Sequence, residues 1–532
     1  MNASKGFSVE QLNKLKVPIT RLVTDSRAVR QGDTFVAYPG EKTDGRQFIA
    51  QAIAQGANAV IWEKQHFVWD DAWQIPNLAV SDLRHKAGWL ADAVCGAPSE
   101  KLQMIGVTGT NGKTTTSHWI AHALNDAGKK CALIGTLGNG LVGALQPSAN
   151  TTPDAIRVHS LLADFLRAKV QAVAMEVSSH ALAQGRVNGV RFDVALLTNL
   201  SRDHLDYHGD MESYAASKRK LFDWQELKFA VLNLDDAFGA ELAEQLQDGN
   251  AEVVGYGLND AALQLAERLG LRMVYGHLAE ISGQGLRLDV YSSWGAAATR
   301  YCEAADCGSS RLAPPPAPDA CAHRVGGAAQ INSALVGRFN AANLLGALAV
   351  LLASGIELGE AVQSLSKVQA VAGRMQRLGG AGQPTVVVDY AHTPDALEKV
   401  LLALREVNAS SDGKLICVFG CGGDRDRGKR AMMGLVAEKF SDHCIVTSDN
   451  PRSEDPQRII AEIVGGMIAN NREVAVERAA AIERAIGLAR PCDTVLVAGK
   501  GHEDYQEING VKYPFSDVAV AERALQAWRA TA

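Results

Sequence analysis

The stretch MIGVTGTNGKTTT (residues 104–116) decides the fold, because it joins a buried strand to a helix through a glycine-rich turn. Glycines let backbone N–H groups and the start of the helix face a polyphosphate. Lys113 is expected to reach the β- and γ-phosphates, and the Thr114 hydroxyl to bind a magnesium ion. The full phosphate-loop pattern is absent, since Val107 stands where that pattern has glycine. A plain strand-to-helix turn is the alternative, but the flanking strand and helix favour nucleotide binding.

On both sides of this stretch, short apolar runs alternate with segments of helical length. This alternation predicts an α/β fold with largely parallel sheets and helices on both faces. The first series of predicted strands is 104–107, 131–135, 171–177, 194–199 and 229–233. The second series is 385–390, 415–420, 444–448 and 494–499.

The length of 532 residues exceeds what one hydrophobic core supports, so several domains are expected. The two series of strands predict a central domain at 101–336 and a C-terminal domain at 337–532. The first hundred residues have shorter elements and turn signals, which predict a smaller N-terminal α/β domain at 1–100.

A Pro-rich insertion at about 301–328 interrupts the central domain and has no apolar period. Three cysteines and a histidine in it could be imagined as a zinc site: Cys302, Cys307, Cys321 and His323. Their spacing lacks a CxxC pair, so a plain loop is the preferred interpretation.

Composition excludes several classes of protein. The chain is 47% hydrophobic and 21% charged, which is ordinary for a globular protein. Lys plus Arg is 53 and Asp plus Glu is 59, a net charge of −6, so no nucleic-acid partner is expected. No run of eighteen apolar residues occurs, so no membrane insertion is expected. The N-terminus lacks a secretory signal and the nine cysteines are scattered, which favours a cytoplasmic location.

Seven further motifs are distributed along most of the chain. They are MEVSSHAL (175–182), TNLSRDHLDYHG (198–209), GRFNAANLL (337–345), DYAHTPDAL (389–397), GCGGDRDRGKR (420–430), DNPRSEDP (449–456) and GKGHEDYQ (499–506). Together with GTNGKTT, this ordered set resembles the Mur ligase family, the ATP-dependent amino-acid-adding enzymes of peptidoglycan synthesis. The resemblance implies an N-terminal UDP-binding domain, a central P-loop-type ATPase domain and a C-terminal Rossmann-like domain.

The resemblance also implies a reaction. A substrate carboxylate would attack the γ-phosphate of ATP, with Mg²⁺ present, and the resulting acyl phosphate would react with an amine. The expected substrates are UDP-N-acetylmuramoyl-L-alanyl-D-glutamate and meso-diaminopimelate, and the expected enzyme is a monomer acting in cell-wall biogenesis, and hence in cell shape and division. The alternatives are a lysine-adding ligase, a folylpolyglutamate synthetase-like ligase, a P-loop kinase and a nucleotide-gated switch without catalysis.

Catalytic and metal-binding residues follow from the family motifs. Glu176 stands at the end of one predicted strand and His204 follows the next, at the carboxyl edge where α/β ligands bind, and both match metal ligands of the family. Lys218, fourteen residues past His204, matches a lysine that carbon dioxide carbamoylates, which turns a cation into an oxygen ligand. With Lys113 they form the expected catalytic set, and with Thr114 the expected metal set.

Binding residues are carried over from the family motifs by position. Expected ATP contacts are Gly109, Thr110, Asn111, Gly112, Lys113, Thr114, Thr115, Asn340, Asn343, Arg374, Asp389 and His392. Expected contacts to the UDP-linked dipeptide are Thr24, Ser26, Asn150, Thr151, Thr152, Ser178, Gln184 and Arg186, while Glu41 is a poor partner for an anionic nucleotide. Expected diaminopimelate contacts are Arg425, Asp449, Asn450, Pro451, Arg452, Gly499 and Glu503. Arg452 is expected to clamp the distal carboxylate.

Overall fold

The computed structural model describes residues 9–41, 43–148, 150–282, 285–294, 299–300, 324–325, 327–380, 382–408, 412–469 and 471–529. The zinc candidates Cys302, Cys307, Cys321 and His323 lie outside these residues, as does most of the Pro-rich insertion. The chain forms three α/β domains, each built on its own large sheet. This confirms the predicted fold class.

The N-terminal domain has a parallel sheet, which is four-stranded in its described part. Its strands are Leu22–Val23, Thr34–Ala37, Ala59–Glu63 and Asn77–Val80, and its α-helices are Ile49–Ala54 and Leu83–Cys95. The 3-10 turns Val9–Leu15, Ser26–Ala28, Gly45–Phe48 and Pro98–Lys101 connect them. Helix Leu83–Cys95 packs closely on the central domain, because a Cβ at Gly88 would lie 1.9 Å from the Asn188 carbonyl oxygen.

The central domain carries a sheet with eleven strands among the described residues. In spatial order they are Gly327–Ser333, Gly285–Ser292, Arg272–Ser282, Glu252–Gly257, Phe229–Asn233, Val194–Leu197, Gln103–Thr108, Ala172–Glu176, Cys131–Gly135, Gly138–Leu141 and Ala144–Gln146. The strands from Arg272–Ser282 to Cys131–Gly135 are parallel, and antiparallel strands extend both edges. All five strands predicted for this domain are present.

Helices cover both faces of the central sheet, so two apolar cores form. One face is covered by Lys113–Asp126, Arg338–Ala353 and Leu358–Ser366, and the other by Ala155–Arg167, Ala237–Gln245 and Asp260–Leu269. Shorter helices at the carboxyl edge are Ser179–Ala183, Leu205–His208 and Met211–Arg219. None of the helices in the described part of the chain combines the length and apolar character needed to span a bilayer.

Helix Arg338–Ala353 bears on the domain boundary predicted at residue 337. It is apolar on nearly all sides, and its leucines and alanines belong to the central core. A helix of this kind needs to be buried on all sides. It packs on Lys113–Asp126, and Leu358–Ser366 packs beside it. We therefore propose that the central domain extends through these two helices.

The C-terminal domain has a sheet that is six-stranded in its described part, with one antiparallel edge strand. The spatial order is Gln376–Gly379, Thr385–Asp389, Thr494–Ala498, Leu415–Phe419, His443–Val446 and Arg472–Val474. Helices Pro394–Asn408, Gly428–Phe440 and Pro456–Val464 cover one face, and Arg478–Leu488 and Asp517–Ala527 cover the other. A hairpin of strands Tyr505–Ile508 and Val511–Pro514 lies outside this sheet. The four predicted strands are confirmed.

Candidate active site

The nucleotide loop joins strand Gln103–Thr108 to helix Lys113–Asp126, as the sequence predicts. Gly109 and Gly112 have φ values of +142° and +87°, which disfavour residues with a Cβ. A Cβ would also lie 1.9 Å from Thr198 Oγ1 at Gly109, and 2.6 Å from Asn343 Oδ1 at Gly112. Both glycines are therefore required by space and by backbone conformation, and Asn343 is placed beside the loop.

The loop is held by hydrogen bonds to the next strand end of the same sheet. The Thr110 N–H donates to the Asn199 carbonyl (2.9 Å), and the Asn111 N–H donates to Asn199 Oδ1 (3.0 Å). Asn111 Nδ2 also donates to Asp395 Oδ2 of the C-terminal domain (3.1 Å). Thr114 and Thr115 begin the helix and are buried. The loop is thus preorganised, and it touches the C-terminal domain directly.

Two lysine amines meet at one carbonyl oxygen of this loop. Lys113 Nζ donates to the Gly109 carbonyl at 2.8 Å, and Lys218 Nζ donates to the same oxygen at 2.7 Å. Lys113 also donates to the Thr110 carbonyl (2.8 Å). Burial lowers the pKa of both amines, and the charge of Lys113 lowers that of Lys218 further. An anionic ligand on the loop would supply the counter-charge that favours the ammonium form.

Glu176 ends strand Ala172–Glu176 and is fully buried. Its carboxylate accepts hydrogen bonds from Thr114 Oγ1 (2.8 Å), Thr136 Oγ1 (3.0 Å) and the Thr136 N–H (2.8 Å). Space at this position is tight, since a Cβ at Gly135 would lie 2.2 Å from Glu176 Oε1. The structure therefore brings together two of the residues predicted to bind metal, Thr114 and Glu176.

His204 lies at the next strand end with a left-handed backbone, at φ +54°. Its Nε2 lies 3.4 Å from Asp203 Oδ2, and His392 Nε2 of the C-terminal domain lies 3.7 Å from the same oxygen. Burial lowers the pKa of His204 to about 3, while the Asp203 carboxylate acts in the opposite direction. Burial by itself would raise the pKa of Asp203, but the neighbouring His392 and His204 side chains hold it below its usual range.

The donor chemistry of these residues decides which metal fits. Among the described residues, no group of three or more His, Cys, Asp or Glu side chains could hold a metal ion alone. Mg²⁺ commonly uses one or two carboxylates together with water and substrate phosphates. Glu176 and the Thr114 hydroxyl, at the start of the nucleotide loop, fit that pattern. The other two predicted metal ligands have protein partners: His204 lies beside the Asp203 carboxylate, and Lys218 donates to the Gly109 carbonyl.

Four of the residues predicted to bind the UDP-linked dipeptide form one cluster in the central domain. Thr152 Oγ1 donates to the Glu176 carbonyl (2.7 Å), and the Ser178 N–H donates to Thr152 Oγ1 (3.1 Å). Arg186 donates to the Thr152 carbonyl (2.9 Å) and to Gln184 Oε1 (2.7 Å). This cluster therefore continues directly from the Glu176 strand.

The remaining members of that set lie outside the cluster or at its margin. Thr151 Oγ1 lies 3.1 Å from Thr136 Oγ1, and Asn150 is exposed. Ser26 donates to Gln51 Oε1 (2.9 Å) within the N-terminal domain, where Thr24 is half-buried. Glu41 spans the two domains, since Gln184 donates to its carboxylate.

Three of the expected ATP contacts, Arg374, Asp389 and Asn340, occupy two separate positions. Arg374 stacks on the Tyr390 ring, with its guanidinium carbon 4.3 Å from the ring centre. Asp389 accepts the N–H groups of Met375 and Ala391 at 2.8 Å each, and burial raises its pKa. Asn340 lies elsewhere, in the lining of a cavity of about 470 Å³ that also includes Thr385 and Thr494. These two threonines begin strands of the C-terminal sheet, so the cavity lies at the opposite edge of that sheet from Asp389.

The predicted amino-acid pocket lies at the carboxyl edge of the C-terminal sheet. Lys500 is fully buried and donates to Asn450 Oδ1 (3.0 Å) and Glu503 Oε2 (2.8 Å), and Asn450 Nδ2 donates to the same Glu503 oxygen (2.8 Å). These three side chains form a closed triangle. Gly499, at φ +118°, comes close to Asp449, because a Cβ there would lie 2.5 Å from Asp449 Oδ2.

The two loops expected to bind the distal carboxylate pack against each other. A Cβ at Gly423 would lie 2.0 Å from the Pro451 carbonyl oxygen. Arg452 Nη1 donates to the Gly423 carbonyl (2.8 Å), and Arg452 Nε lies 3.3 Å from Glu507 Oε2. Arg425 is exposed and donates to the Asp424 carbonyl (3.0 Å). Arg452 is thus held in place, and Arg425 stands at the rim.

Comparison with known proteins gives the same assignment along the whole chain. Three family models match: "Mur ligase family, catalytic domain" at residues 18–94, "Mur ligase middle domain" at 107–290 and "Mur ligase, glutamate ligase domain" at 373–501. A relative from Chromobacterium violaceum, named UDP-N-acetylmuramoyl-L-alanyl-D-glutamate--2,6-diaminopimelate ligase, is 50% identical over 97% of this chain and 96% of its own. The chain belongs to the Mur ligase family.

Further similarities agree with this membership. A relative of the same name from Nitrosomonas europaea is 46% identical over 98% of this chain and 96% of its own. A solved structure of a ligase with that name matches with a TM-score of 0.63 at 35% identity, covering 96% of this chain and 95% of that one. This Mur ligase is therefore an enzyme, as the motifs imply.

Several residues of the Mur ligase site were missed by sequence reasoning. Thr136 follows strand Cys131–Gly135 at the same carboxyl edge as Glu176, and that position was a signal for it. Asp203 stands next to His204 in a quoted motif, as Lys500 does next to Gly499. Arg478 gave no signal. Its guanidinium bonds Asp517 (2.7 Å and 2.8 Å), thirty-nine residues away, and the two meet only through the fold.

Proposed function

We propose that this Mur ligase joins meso-diaminopimelate to UDP-N-acetylmuramoyl-L-alanyl-D-glutamate and hydrolyses ATP to ADP and phosphate in doing so. The observation that carries the proposal is the similarity over 97% of the chain to a relative whose name states this activity. The geometry supports it independently, because a nucleotide loop and a charged pocket lie at the carboxyl edges of two adjoining sheets.

The proposed chemistry has two steps. A carboxylate oxygen of the dipeptide attacks the γ-phosphorus of ATP, and the bond to the bridging oxygen breaks to release ADP. The amine of the amino acid then attacks the acyl carbon, and phosphate leaves as the proton of the amine is lost. Both steps bring anions together, so positioning and charge neutralisation are the main demands on the protein.

Lys113 and the loop glycines meet the first demand. Lys113 Nζ is fixed by the carbonyls of Gly109 and Thr110, both at 2.8 Å, and is directed over the loop where a polyphosphate would bind. Glu176 and Thr114 would hold Mg²⁺, which when bound neutralises phosphate charge. His204 and Asp203 stand at the same edge and join the central domain to His392.

For Lys218 we propose carbamoylation. The amine is buried, bonds the Gly109 carbonyl at 2.7 Å and lies 4.5 Å from the Tyr214 ring centre. Only a neutral amine reacts with carbon dioxide, and burial together with Lys113 lowers the pKa of this one. The product is an anionic carboxylate, which suits a second metal ligand beside phosphates.

The dipeptide would bind along the cluster that begins at Glu176. Thr152, Ser178, Gln184 and Arg186 offer hydroxyl, amide and guanidinium groups for its carboxylates. Ser26 and Thr24 would contact the UDP end, since the N-terminal domain adjoins this cluster through Glu41 and Gln184. We also propose that the enzyme acts in the cytoplasm, because ATP and UDP-linked precursors are cytoplasmic substrates, and that it is a monomer.

The distal carboxylate separates meso-diaminopimelate from lysine. Arg452 would clamp that carboxylate, and Arg425 at the rim would add a second cation. Glu503 and Asn450 would meet the polar amino-acid end. Lysine would leave the terminal nitrogens of Arg452 without a substrate carboxylate, and a site built for a polar group rejects an analogue that lacks it by roughly 10⁴-fold. Replacement of Arg452 by alanine is expected to remove most of this preference.

Phosphate release tests the reaction class. Purified protein is given ATP and Mg²⁺, with the UDP-linked dipeptide and meso-diaminopimelate supplied singly and together. A ligase releases phosphate only with both. Release with the dipeptide alone and a stable phosphorylated product would indicate a kinase, and no release in any mixture would indicate a switch.

A further inference from the structure

The hairpin of strands Tyr505–Ile508 and Val511–Pro514 is fastened to the amino-acid loop 449–452. The Arg452 N–H donates to the Glu507 carbonyl (3.0 Å), and the Asn509 N–H donates to the Arg452 carbonyl (2.7 Å). The Glu507 N–H donates to Asn450 Oδ1 (2.9 Å). Because these bonds involve the hairpin backbone, they persist whichever side chain stands at position 507.

The Arg452 side chain is held from two directions. Its Nη1 donates to the Gly423 carbonyl (2.8 Å), and its Nε lies 3.3 Å from Glu507 Oε2. The side chains of Arg452 and Glu507 are only 19% and 26% exposed. Glu507 therefore pairs with the Nε side of the guanidinium, which leaves the edge formed by the two terminal nitrogens for a substrate carboxylate.

Arg452 combines an uncommon backbone conformation with a flexible side chain. Its φ is +52°, a left-handed conformation that is uncommon for a residue with a long side chain. An arginine side chain has many rotamers, and binding a carboxylate in one of them costs conformational entropy. A partner that selects one rotamer before the substrate arrives reduces that cost.

We propose that Glu507 is a positioning residue that sets the preference for an amino acid with a distal carboxylate, by holding the Arg452 guanidinium in its binding orientation. This inference rests on the proposed function of Arg452. It deepens that function by naming a second residue, on a different structural element, that acts through the first. Lysine has no distal carboxylate, so its use is expected to be independent of Glu507.

The test is steady-state kinetics of the full-length enzyme with meso-diaminopimelate and with lysine. For E507A, the KM for meso-diaminopimelate is expected to rise about tenfold, while kcat stays within about twofold, because the reacting atoms are untouched. The efficiency with lysine and the KM for ATP are expected to stay unchanged. The preference for meso-diaminopimelate therefore falls about tenfold.

Two further variants make the result specific. E507Q keeps an acceptor oxygen for Arg452 Nε and loses only the charge, so it is expected to lie between wild type and E507A. K512A is the matched control: Lys512 stands opposite Glu507 in the hairpin and is exposed. It is expected to behave as wild type. Thermal unfolding of each variant verifies that the C-terminal domain is folded.

Other outcomes overturn the inference. An unchanged KM for meso-diaminopimelate in E507A shows that Arg452 needs no partner, and a lowered KM shows that Glu507 competes with the substrate. Equal losses with lysine, or a changed KM for ATP, show a structural role for the hairpin. If E507A behaves as wild type while the wild-type enzyme uses meso-diaminopimelate, only this inference fails. If the wild type does not use it, the proposed function fails as well.

Discussion

The nucleotide edge of the central sheet and the amino-acid edge of the C-terminal sheet handle charge in opposite ways. At the nucleotide edge, Lys113 and Lys218 both bond the Gly109 carbonyl, and Glu176 accepts from neutral donors. At the amino-acid edge, charges are paired within the protein: Lys500 with Glu503, Arg452 with Glu507, and Arg478 with Asp517.

The difference follows from the proposed ligands. ATP and Mg²⁺ bring large charges of their own, so a site that receives them keeps its charged groups for the ligand. A zwitterionic amino acid brings no net charge, so its pocket is neutral and rigid before binding. Substitutions at the first edge should therefore affect turnover, and substitutions at the second should affect stability and specificity.

The largest expected effect is at Lys113. K113A removes the amine that the loop directs towards the phosphates, so the rate of phosphate release should fall by about 10³-fold or more. Thermal unfolding should stay close to wild type, since Lys113 bonds only two carbonyls of its own loop. The control is K101A, an exposed lysine just before strand Gln103–Thr108. Normal phosphate release by folded K113A would contradict the nucleotide assignment.

Lys218 should show the next largest effect. K218A removes the proposed carbamate, so activity should fall by about 100-fold or more, and formate or acetate should restore part of it by supplying carboxylate oxygens. K220A is the matched control, because Lys220 is exposed and follows the same helix. A substrate-bound, metal-bound crystal structure that shows a bare amine at Lys218 would count against the modification.

At the amino-acid edge, substitution of Arg478 is expected to lower the stability of the C-terminal domain. Arg478 and Asp517 are fully buried, so R478M leaves the Asp517 carboxylate without its partner. The free energy of unfolding should fall by about 3–5 kcal/mol, measured by chemical denaturation with a probe of the C-terminal domain. The control is R484A, at a position on the same helix as Arg478. It removes an exposed ion pair with Glu473 and should cause no measurable loss of stability. Equal stability of R478M and R484A would show that the buried pair of Arg478 and Asp517 does not stabilise the C-terminal domain.

The smallest expected effect is at the contact between the two edges. Arg202, next to Asp203, lies 3.6 Å from Asp426, next to Arg425. Because Arg202 is half-exposed, R202A and D426A should each raise the KM for the amino acid by no more than about threefold. The double variant should equal either single one, which a double-mutant cycle would reveal. R427A, which breaks a pair with Glu462 inside the C-terminal domain, should not couple to R202A.

Much of this architecture could be predicted from local sequence. Buried parallel strands appear as short apolar runs, so Cys131–Gly135 and Thr494–Ala498 were recognisable, and strand ends marked Glu176 and His204 as neighbours of the loop. The boundary predicted at residue 337 stays a prediction, and we propose that helix Arg338–Ala353 belongs to the central domain. Sequence alone does not decide this, because an all-apolar helix does not reveal which sheet buries it.

The pairings within the amino-acid pocket were not predictable in this way. Arg478 and Asp517 lie on separate helices, and Glu507 lies on a hairpin that is attached through Arg452. A charged residue in sequence is usually exposed, and nothing local distinguishes one that folding brings to a buried partner. The partners Asp517 and Glu507 therefore emerged only from the three-dimensional structure.

Competition between meso-diaminopimelate and lysine measures which amino acid the enzyme adds to the UDP-linked dipeptide. The wild-type enzyme is incubated with UDP-N-acetylmuramoyl-L-alanyl-D-glutamate, ATP, Mg²⁺ and equal concentrations of meso-diaminopimelate and lysine, and the products are identified by mass spectrometry. We expect the meso-diaminopimelate adduct to be essentially the whole product and to form in equal amount with ADP. A product containing mainly lysine, or ADP formation without either adduct, would contradict this expectation.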